Sequence, residues 1–156
     1  MKVILEGCDG TGKTTLAKIL SNEYGLDICH CTQHDAADYD FYRQTLRKEN
    51  VVWDRHTLGE LIYPTVFRRA QQTSVEDAKQ IMDIAKKEGV KVFVLTTNIE
   101  TIKKRLIKRG SEDSRIMESC EKIDLLFVKY AKEFSIPIID TSNMTLGEIF
   151  NLMEEN

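Results

Sequence analysis

The stretch that decides the fold of this chain reads Gly7-Cys8-Asp9-Gly10-Thr11-Gly12-Lys13-Thr14-Thr15. It fits the pattern G-x-x-x-x-G-K-[ST] without a mismatch, and the apolar run at residues 3–5 directly precedes it. After the loop, leucine, alanine and isoleucine recur at helical spacing, so the loop joins a buried strand to a helix. Strand, glycine loop and helix in this order are the context in which the pattern binds phosphate.

The residue types in this loop suit a nucleoside triphosphate with Mg²⁺. Glycines let backbone amides approach phosphate oxygens without an intervening Cβ atom, and the helix start adds free N–H groups. Lys13 can reach the β- and γ-phosphates, and the Thr14 hydroxyl is an oxygen ligand of the kind Mg²⁺ takes. We therefore expect ATP and Mg²⁺ to bind at residues 7–15, with Lys13 catalytic. A glycine-rich turn that binds nothing is the structural alternative.

The composition predicts one ordinary soluble domain over residues 1–156. Hydrophobic residues make up 42% and charged residues 30%, with a formal net charge of −3. That charge gives no general attraction to nucleic acid or an anionic membrane, so an anion site has to be built locally. No apolar stretch suits a signal peptide or a membrane span, which predicts a cytoplasmic protein. In that compartment the four cysteines are expected to be free thiols.

Short apolar runs alternate with helical patterns, which predicts a three-layer α/β/α domain with a five-stranded parallel sheet. The predicted strands cover residues 3–5, 26–31, 51–54, 90–96 and 136–139. The predicted helices follow the glycine loop as far as Gly25 and then cover residues 36–47, 58–71, 74–88, 98–109, 115–134 and the C-terminal stretch. Cys29 and Cys31 flank His30, and their spacing on a strand favours one shared buried face over a metal site.

Asp54 and Arg55 directly follow the third predicted strand. In an open parallel sheet the carboxyl ends of the strands face the ligand crevice, so Asp54 is placed to meet Mg²⁺ or a metal-bound water. Arg55 suits bidentate binding of an acceptor phosphate. We expect Thr14 and Asp54 to be metal ligands, and Asp54 and Arg55 to be catalytic. A surface ion pair at a strand end is the alternative.

Basic residues are concentrated in one segment, which holds Lys103, Lys104, Arg105, Lys108, Arg109 and Arg115. Arg105 and Arg109 share a helix face, and Gly110-Ser111 interrupts that helix before Arg115. A mobile flap bearing arginines shields a transferring phosphoryl group and stabilises its charge, so we predict a lid around residues 105–117. The catalytic residues expected from it are Arg105, Arg109 and Arg115. A solvated basic face stays open as the alternative.

Together these features resemble the thymidylate kinase family and the wider nucleoside monophosphate kinases, in a shortened, viral-type form. The matching features, in chain order, are Glu6 with the glycine loop and its Asp9, Asp54-Arg55 followed by Tyr63, Arg109-Gly110, and Arg115-Ile116-Met117-Glu118. The glycine loop alone is not specific to one family. The combination of these motifs is considerably more so.

The resemblance implies a P-loop kinase fold and phosphoryl transfer from ATP to a deoxynucleoside 5′-monophosphate. It places Asp9, Arg55 and Tyr63 at the acceptor, with Arg55 on the acceptor phosphate. It assigns the three lid arginines to the donor phosphates. Members of the family are often dimers, so the partners expected are a nucleotide and a second copy of the chain. Apolar residues of the helix at residues 58–67 are the predicted interface.

The chain departs from that family in the acceptor region. Thr32-Gln33-His34-Asp35 stands where the family usually has Arg-Glu-Pro-Gly, and His56-Thr57-Leu58-Gly59-Glu60 replaces the serines expected after the Asp-Arg motif. The segment between Gly25 and Val51, which would hold the base-recognising residues, is short. These departures leave the preferred base without a prediction.

Two side chains in the short segment are candidates for binding the base. Phe41 and Arg43, on either side of Tyr42, are able to stack on a base and hydrogen-bond to it, and they suit an ordinary helix face equally well. His34 and His56 are interpreted as polar loop residues. They are not expected to act as catalytic bases, because an acceptor phosphate oxygen is already ionised.

Other functions stay open. One is a P-loop kinase of another acceptor, such as a polynucleotide end or a modified nucleotide. A hydroxyl acceptor would need a carboxylate base, and the candidates are Asp9, Asp35 and Asp54. Another is a non-catalytic nucleotide-binding module, although such proteins usually rely on a partner's arginine rather than on a basic lid. A degraded, inactive kinase-like protein is the third, because the acceptor region is so reduced.

Overall fold

The computed structural model describes residues 1–31, 38–71, 73–110 and 114–156. In chain order its elements are β1 (Lys2–Gly7), α1 (Lys13–Tyr24), β2 (Asp27–His30), α2 (Tyr39–Thr45), β3 (Val51–Asp54), α3 (Thr57–Phe67), α4 (Val75–Lys87), β4 (Lys91–Thr96), α5 (Ile99–Lys108), α6 (Ser114–Glu133), β5 (Ile138–Asp140) and α7 (Leu146–Glu155).

The five strands form one parallel sheet in the order β2-β3-β1-β4-β5, which confirms the predicted sheet. β1 lies in the middle, with Ile4 opposite Trp53 of β3 on one side and opposite Val92 of β4 on the other. On the outer pair, His30 lies opposite Asp54. Because all strands run the same way, their carboxyl ends meet at one edge of the sheet, where the glycine loop begins.

Two hydrophobic cores cover the two faces of the sheet, as the predicted three layers require. Ile4, Trp53 and Val92 face a core that α2 to α6 complete. Val3 and Phe93 face the other core, to which α1 and α7 contribute. The alternation of the strand residues between the two cores follows from the period of two along a strand.

The apolar residues of α3 are buried inside this single chain, which is a correction to the sequence analysis. Leu58 and Ile62 are 0% exposed and Leu61 is 1% exposed. They pack into the core with α4 and α6 because the helix fills the space above β1. The prediction that these apolar residues of α3 form a dimer interface is therefore wrong. A homodimer stays a prediction without an assigned surface.

Helix starts followed the sequence closely. Ser74 accepts from the backbone of Asp77 in a complete capping box, and Asn98 accepts from Thr101, so both predicted starts are confirmed. Gly25, at φ 66°, ends α1 as predicted.

Helix and strand ends followed the sequence less well. α3 ends at Phe67 instead of residue 71, because Arg68 takes the left-handed conformation at φ 52° and its N–H bonds to Pro64. The last strand covers Ile138–Asp140, later than predicted, and β2 covers Asp27–His30, one residue shorter at each end. α2 begins after Asp38, whose side chain caps it.

Some sequence predictions fall outside the described residues. These are His34 and Asp35, with the rest of the stretch at residues 32–37, and Ser111 with the adjoining part of the lid. No helix in the described ranges is long and apolar enough to cross a membrane. All four cysteines are free thiols. Cys31 is buried and Cys29 packs against the same core, as their spacing predicted.

Candidate active site

The loop between β1 and α1 is shaped by glycines whose backbone other residues rarely adopt. Gly7 has φ 142°, and a Cβ atom there would lie 2.4 Å from the carbonyl oxygen of Leu95. Gly12 has φ 103° and precedes the first residue of α1. Within the loop, Thr11 Oγ1 donates to the Cys8 carbonyl at 2.8 Å. The loop thus brings its backbone and the start of α1 together at the carboxyl edge of the sheet, which is an arrangement that binds phosphate.

Lys13 lies folded against this loop. Its Nζ donates to the carbonyl oxygens of Gly7 at 2.7 Å and Cys8 at 2.8 Å, and the residue is 5% exposed. Burial, with the nearby Arg55 charge as the next cause, lowers the pKa of Lys13. Phosphate oxygens would offer this ammonium group stronger acceptors than the two carbonyls do.

A hydroxyl and a carboxylate meet at the start of α1. Thr14 Oγ1 donates to Asp54 Oδ2 at 2.5 Å, and Asp54 is 4% exposed. His30 Nδ1 lies 3.5 Å from the same carboxylate oxygen. The described residues contain no group of three or more histidine, cysteine or acidic side chains that could hold a metal. The Thr14 and Asp54 oxygens nevertheless fit Mg²⁺, which typically takes one or two protein ligands with waters and substrate phosphates completing its shell.

Asp9 and Arg55 form an ion pair in which Arg55 Nη2 donates a hydrogen bond to Asp9 Oδ1. Arg55 has φ 79°, a strained conformation for a residue with a side chain, and its N–H donates to the carbonyl of Leu5 at 3.0 Å. Its guanidinium also lies over the ring of Tyr63, 5.6 Å from the centroid. The strained backbone at Arg55 therefore directs its side chain toward the glycine loop, where it contacts Asp9.

A cavity of about 710 Å³ opens beside this pair. Its lining residues are Asp9, His30, Cys31, Asp54, Arg55, His56, Gly59, Glu60, Tyr63, Phe67, Arg69, Arg115 and Ile116. Four of the predicted site residues, Asp9, Asp54, Arg55 and Tyr63, thus share one cavity with a lid arginine, Arg115. The volume is in the range of small-molecule sites.

The lid arginines do not lie together. Arg105 Nη1 donates to the Gly10 carbonyl at 2.7 Å and so contacts the glycine loop. Arg109 caps the end of α5 and is exposed. Arg115 lies over the ring of Phe67 at 5.8 Å and lines the cavity.

The two candidates for base binding on α2 lie elsewhere. Phe41 packs edge-to-face on Tyr42, with ring centroids 5.3 Å apart, and adjoins the core. Arg43 is exposed, and neither residue lines the cavity. The structure does not bring them to Arg55, because α2 places its buried face on α4 instead.

The sequence analysis missed Phe67 and Arg69, which both line the cavity. Arg69 lies over the Phe67 ring at 5.9 Å. Phe67 stands four residues after Tyr63 on α3, and that spacing was the available signal. No comparable signal pointed to Arg69, which follows the helix.

Two polar residues beside the site are buried. His56 lies in the loop before α3, as predicted, but it is 1% exposed and bonds to Thr45 Oγ1 at 2.8 Å and to Thr57 Oγ1 at 2.7 Å. Burial lowers its pKa to about 3. Glu6 is 0% exposed, and its Oε1 accepts from the N–H of Leu58 at 2.7 Å. Burial raises the pKa of Glu6 to about 7, although bonds from the start of α3 oppose that rise.

Three features define this chain as a P-loop nucleotide-binding protein. They are the glycine loop between the central strand of a parallel sheet and a helix, the buried lysine on that loop, and the hydroxyl–carboxylate pair beside it. The family model described as "ATPase family associated with various cellular activities (AAA)" matches residues 3–119, and the chain belongs to that family.

The chain is also similar to curated nucleotide kinases along nearly its whole length. It is 24% identical to cytidylate kinase 2 of Borreliella afzelii, covering 99% of this chain and 95% of that one. It is 25% identical to a probable thymidylate kinase of Methanocaldococcus jannaschii, covering 97% and 92%. Among solved structures, the YorR protein of Bacillus subtilis, in complex with phosphorylated GDP, aligns with a TM-score of 0.79 at 23% identity, covering 99% and 94%. Deoxyadenosine kinase of M. mycoides aligns with a TM-score of 0.62 at 18% identity, covering 99% and 98%, and the fold is therefore that of P-loop kinases.

Proposed function

We propose that this protein is a nucleotide kinase that transfers the γ-phosphoryl group of ATP to a nucleoside 5′-monophosphate, a deoxynucleoside form being expected. The observation that carries the proposal is the adjacency of two anion-binding groups. Asp9 belongs to the glycine loop and is paired with Arg55, and both residues line the cavity. A nucleotide on the loop and a phosphate on Arg55 would therefore be neighbours.

The donor side is the glycine loop with Lys13. Its amides and the start of α1 would hold the phosphates, and the Lys13 ammonium would exchange the Gly7 and Cys8 carbonyls for phosphate oxygens. Arg105 already contacts Gly10 and needs a short movement to reach the same phosphates. Thr14 and Asp54 would hold Mg²⁺, which neutralises charge on the donor oxygens when bound.

The acceptor side is the cavity. Arg55 would exchange Asp9 for the acceptor phosphate, which suits a planar guanidinium fork. That exchange frees the Asp9 carboxylate for a sugar hydroxyl. Tyr63 supports Arg55 through its ring. Its hydroxyl is buried beside the backbone of Asp9, so the Tyr63 side chain adjoins both partners of the Asp9–Arg55 pair.

This chemistry needs positioning and charge stabilisation more than proton transfer. The acceptor oxygen is ionised at neutral pH, so no general base is required. Arg109 and Arg115 stay proposed lid arginines. Arg115 would have to leave the Phe67 ring to reach the donor phosphates. Phe41 and Arg43 are not given a role, because neither lines the cavity.

The relatives support the class of acceptor and leave the base open. Two of the curated proteins that align over nearly the whole chain are a cytidylate kinase and a probable thymidylate kinase, whose names give different bases. What they have in common is a nucleoside monophosphate kinase reaction. The arginine that contacts the glycine loop within the same chain argues against a binding module that depends on a partner's arginine.

The test is a coupled assay of ADP release from ATP and Mg²⁺, run against ribo- and deoxynucleoside monophosphates. We expect one or a few monophosphates to accelerate ADP release, and Lys13→Ala to abolish the acceleration. Lys18→Ala, on the exposed face of the same helix, is the matched control and should keep it. Slow ATP hydrolysis that no monophosphate accelerates would contradict the proposed function.

A further inference from the structure

One face of α3 carries a row of side chains that leads away from the phosphate end of the cavity. Gly59, Tyr63 and Phe67 recur every four residues and all line the cavity. Arg55 stands over Tyr63 at one end, and the Phe67 ring follows, its centroid 6.1 Å from that of Tyr63. A nucleotide whose phosphate lies on Arg55 would extend its sugar past Tyr63 and its base toward Phe67.

The Phe67 end of the cavity holds flat groups and hydrogen-bond donors. The guanidinium of Arg69 lies 5.9 Å from the Phe67 ring centroid and that of Arg115 lies 5.8 Å from it. Ile116, which follows Arg115 on α6, also lines the cavity. The carboxylates that line the cavity belong to Asp9, Asp54 and Glu60, which stand at the glycine loop, the end of β3 and the first turn of α3.

We propose that Phe67 and Arg69 form the base-recognition end of the acceptor site, with Phe67 stacking on the base and Arg69 donating to its carbonyl oxygens. The inference rests on the proposed function, because it needs a monophosphate on Arg55. An arginine carries donors only. Guanine presents O6 and N7 as neighbouring acceptors and thymine presents O4, whereas adenine presents an amino donor next to N7 and cytosine presents an amino donor where thymine has O4. The site therefore favours guanine, thymine or uracil over adenine and cytosine.

Arg69 is assigned this role because the end of α3 fixes its position. Arg68 takes the left-handed conformation, and the N–H of Arg69 donates to the Pro64 carbonyl at 2.9 Å. That turn folds the chain back and brings Arg69 over the last aromatic residue of the helix. Arg115 begins α6 in the predicted lid and is assigned to the donor phosphates.

The experiment compares kcat/KM within two pairs of acceptors, dGMP against dAMP and dTMP against dCMP. The wild-type chain should prefer the carbonyl base in each pair by at least about 10-fold, in keeping with an arginine contact to O6 and N7 of guanine or to O4 of thymine. Arg69→Gln, which keeps polarity but offers both a donor and an acceptor, should reduce both preferences about 10-fold and leave the KM for ATP unchanged. Phe67→Leu should raise the KM of all four acceptors alike, because stacking does not depend on the base.

Controls separate this inference from the proposed function. Arg47→Gln, at an exposed position outside the cavity, should keep the wild-type preferences. If the protein turns over monophosphates but Arg69→Gln keeps the wild-type base preferences, the assignment to Arg69 is overturned. The same holds if Arg115→Gln changes those preferences instead. Neither result would contradict the proposed kinase activity. A wild-type preference for dAMP and dCMP would also overturn the assignment to Arg69. Failure to phosphorylate any monophosphate would overturn the proposed function and the base site together.

Discussion

The hydroxyl of Thr14 donates to the carboxylate of Asp54 at 2.5 Å, which joins the first helix after the glycine loop to the carboxyl end of β3. The contact brings two hard oxygen ligands together beside the loop that would hold the donor phosphates. Neither residue is near the other in sequence. Their meeting depends on β3 lying directly next to β1 in the sheet.

Asp54→Asn tests the metal role of this pair. The amide oxygen can still accept from Thr14, so the shape of the site is kept while its negative charge is lost. We expect kcat to fall by at least about 100-fold and the Mg²⁺ concentration for half-maximal rate to rise, since metal stabilisation of charge is worth several kcal/mol. Asp27→Asn, exposed at the start of β2, is the control. An unchanged Mg²⁺ dependence would remove Asp54 from the metal site.

Arg55→Lys tests the acceptor side. Lysine keeps the positive charge, and the backbone strain at φ 79° is the same for both residues. However, lysine lacks the planar fork through which arginine binds a phosphate. Loss of one charged hydrogen bond costs about 1.5–3 kcal/mol, so the KM for the acceptor should rise about 10- to 100-fold. The KM for ATP should change little, as should both constants in the exposed control Arg47→Lys. A rise confined to the KM for ATP would place Arg55 on the donor instead.

His56 should make the folded state sensitive to acid. Its pKa is lowered from 6.5 to about 3 by burial, so the unfolded chain binds the proton more readily than the folded chain. Stability is therefore full above pH 6.5 and is lost as the pH falls toward 3, by about 4–5 kcal/mol at about 1.4 kcal/mol per pKa unit. Urea unfolding across that range should show the loss in wild type and a weaker loss in His56→Gln. His30→Gln, more than half exposed, should retain the wild-type loss. Identical pH profiles for wild type and His56→Gln would contradict this.

Glu6 should act in the opposite direction and in a higher pH window. Burial raises its pKa from 4.5 to about 7, so the folded chain keeps a proton that the unfolded chain releases. Stability from this group is present below pH 4.5 and falls as the pH rises through 7, by about 3 kcal/mol. Glu6→Gln cannot ionise. Its stability relative to wild type should rise by about 3 kcal/mol between pH 4.5 and 8, whereas the exposed Glu23→Gln should track wild type. A constant difference between Glu6→Gln and wild type would argue against the raised pKa.

The sheet and the donor half of the site could be predicted because local patterns determine them. The glycine loop needs a strand before it and a helix after it, and the apolar runs at β1, β3 and β4 are too short and too buried to be anything but strands of a parallel sheet. Once those strands are parallel, Asp54 has to lie at the edge where the loop begins.

The acceptor half could not be predicted in the same way because it depends on tertiary contacts. The polar residues directly after Asp54 gave no sign of burial, yet the Glu6 side chain of β1 accepts from the N–H of Leu58 at the start of α3, and His56 is enclosed by Tyr42 and Trp53. The end of α3 carries no glycine, so nothing local marked the turn at Arg68 that brings Arg69 to the cavity. Phe41 and Arg43 suited a base equally well in sequence, and only the packing of α2 separates them from the site.

The most direct test of the kinase follows the γ-phosphoryl group itself. ATP labelled at the γ-phosphate is incubated with the protein, Mg²⁺ and a mixture of nucleoside monophosphates, and the products are separated. The label is predicted to appear in a nucleoside diphosphate with the wild-type chain, and not to appear there with Lys13→Ala. Label found only in inorganic phosphate, at the same rate with and without monophosphates, would contradict phosphoryl transfer between two nucleotides at this site.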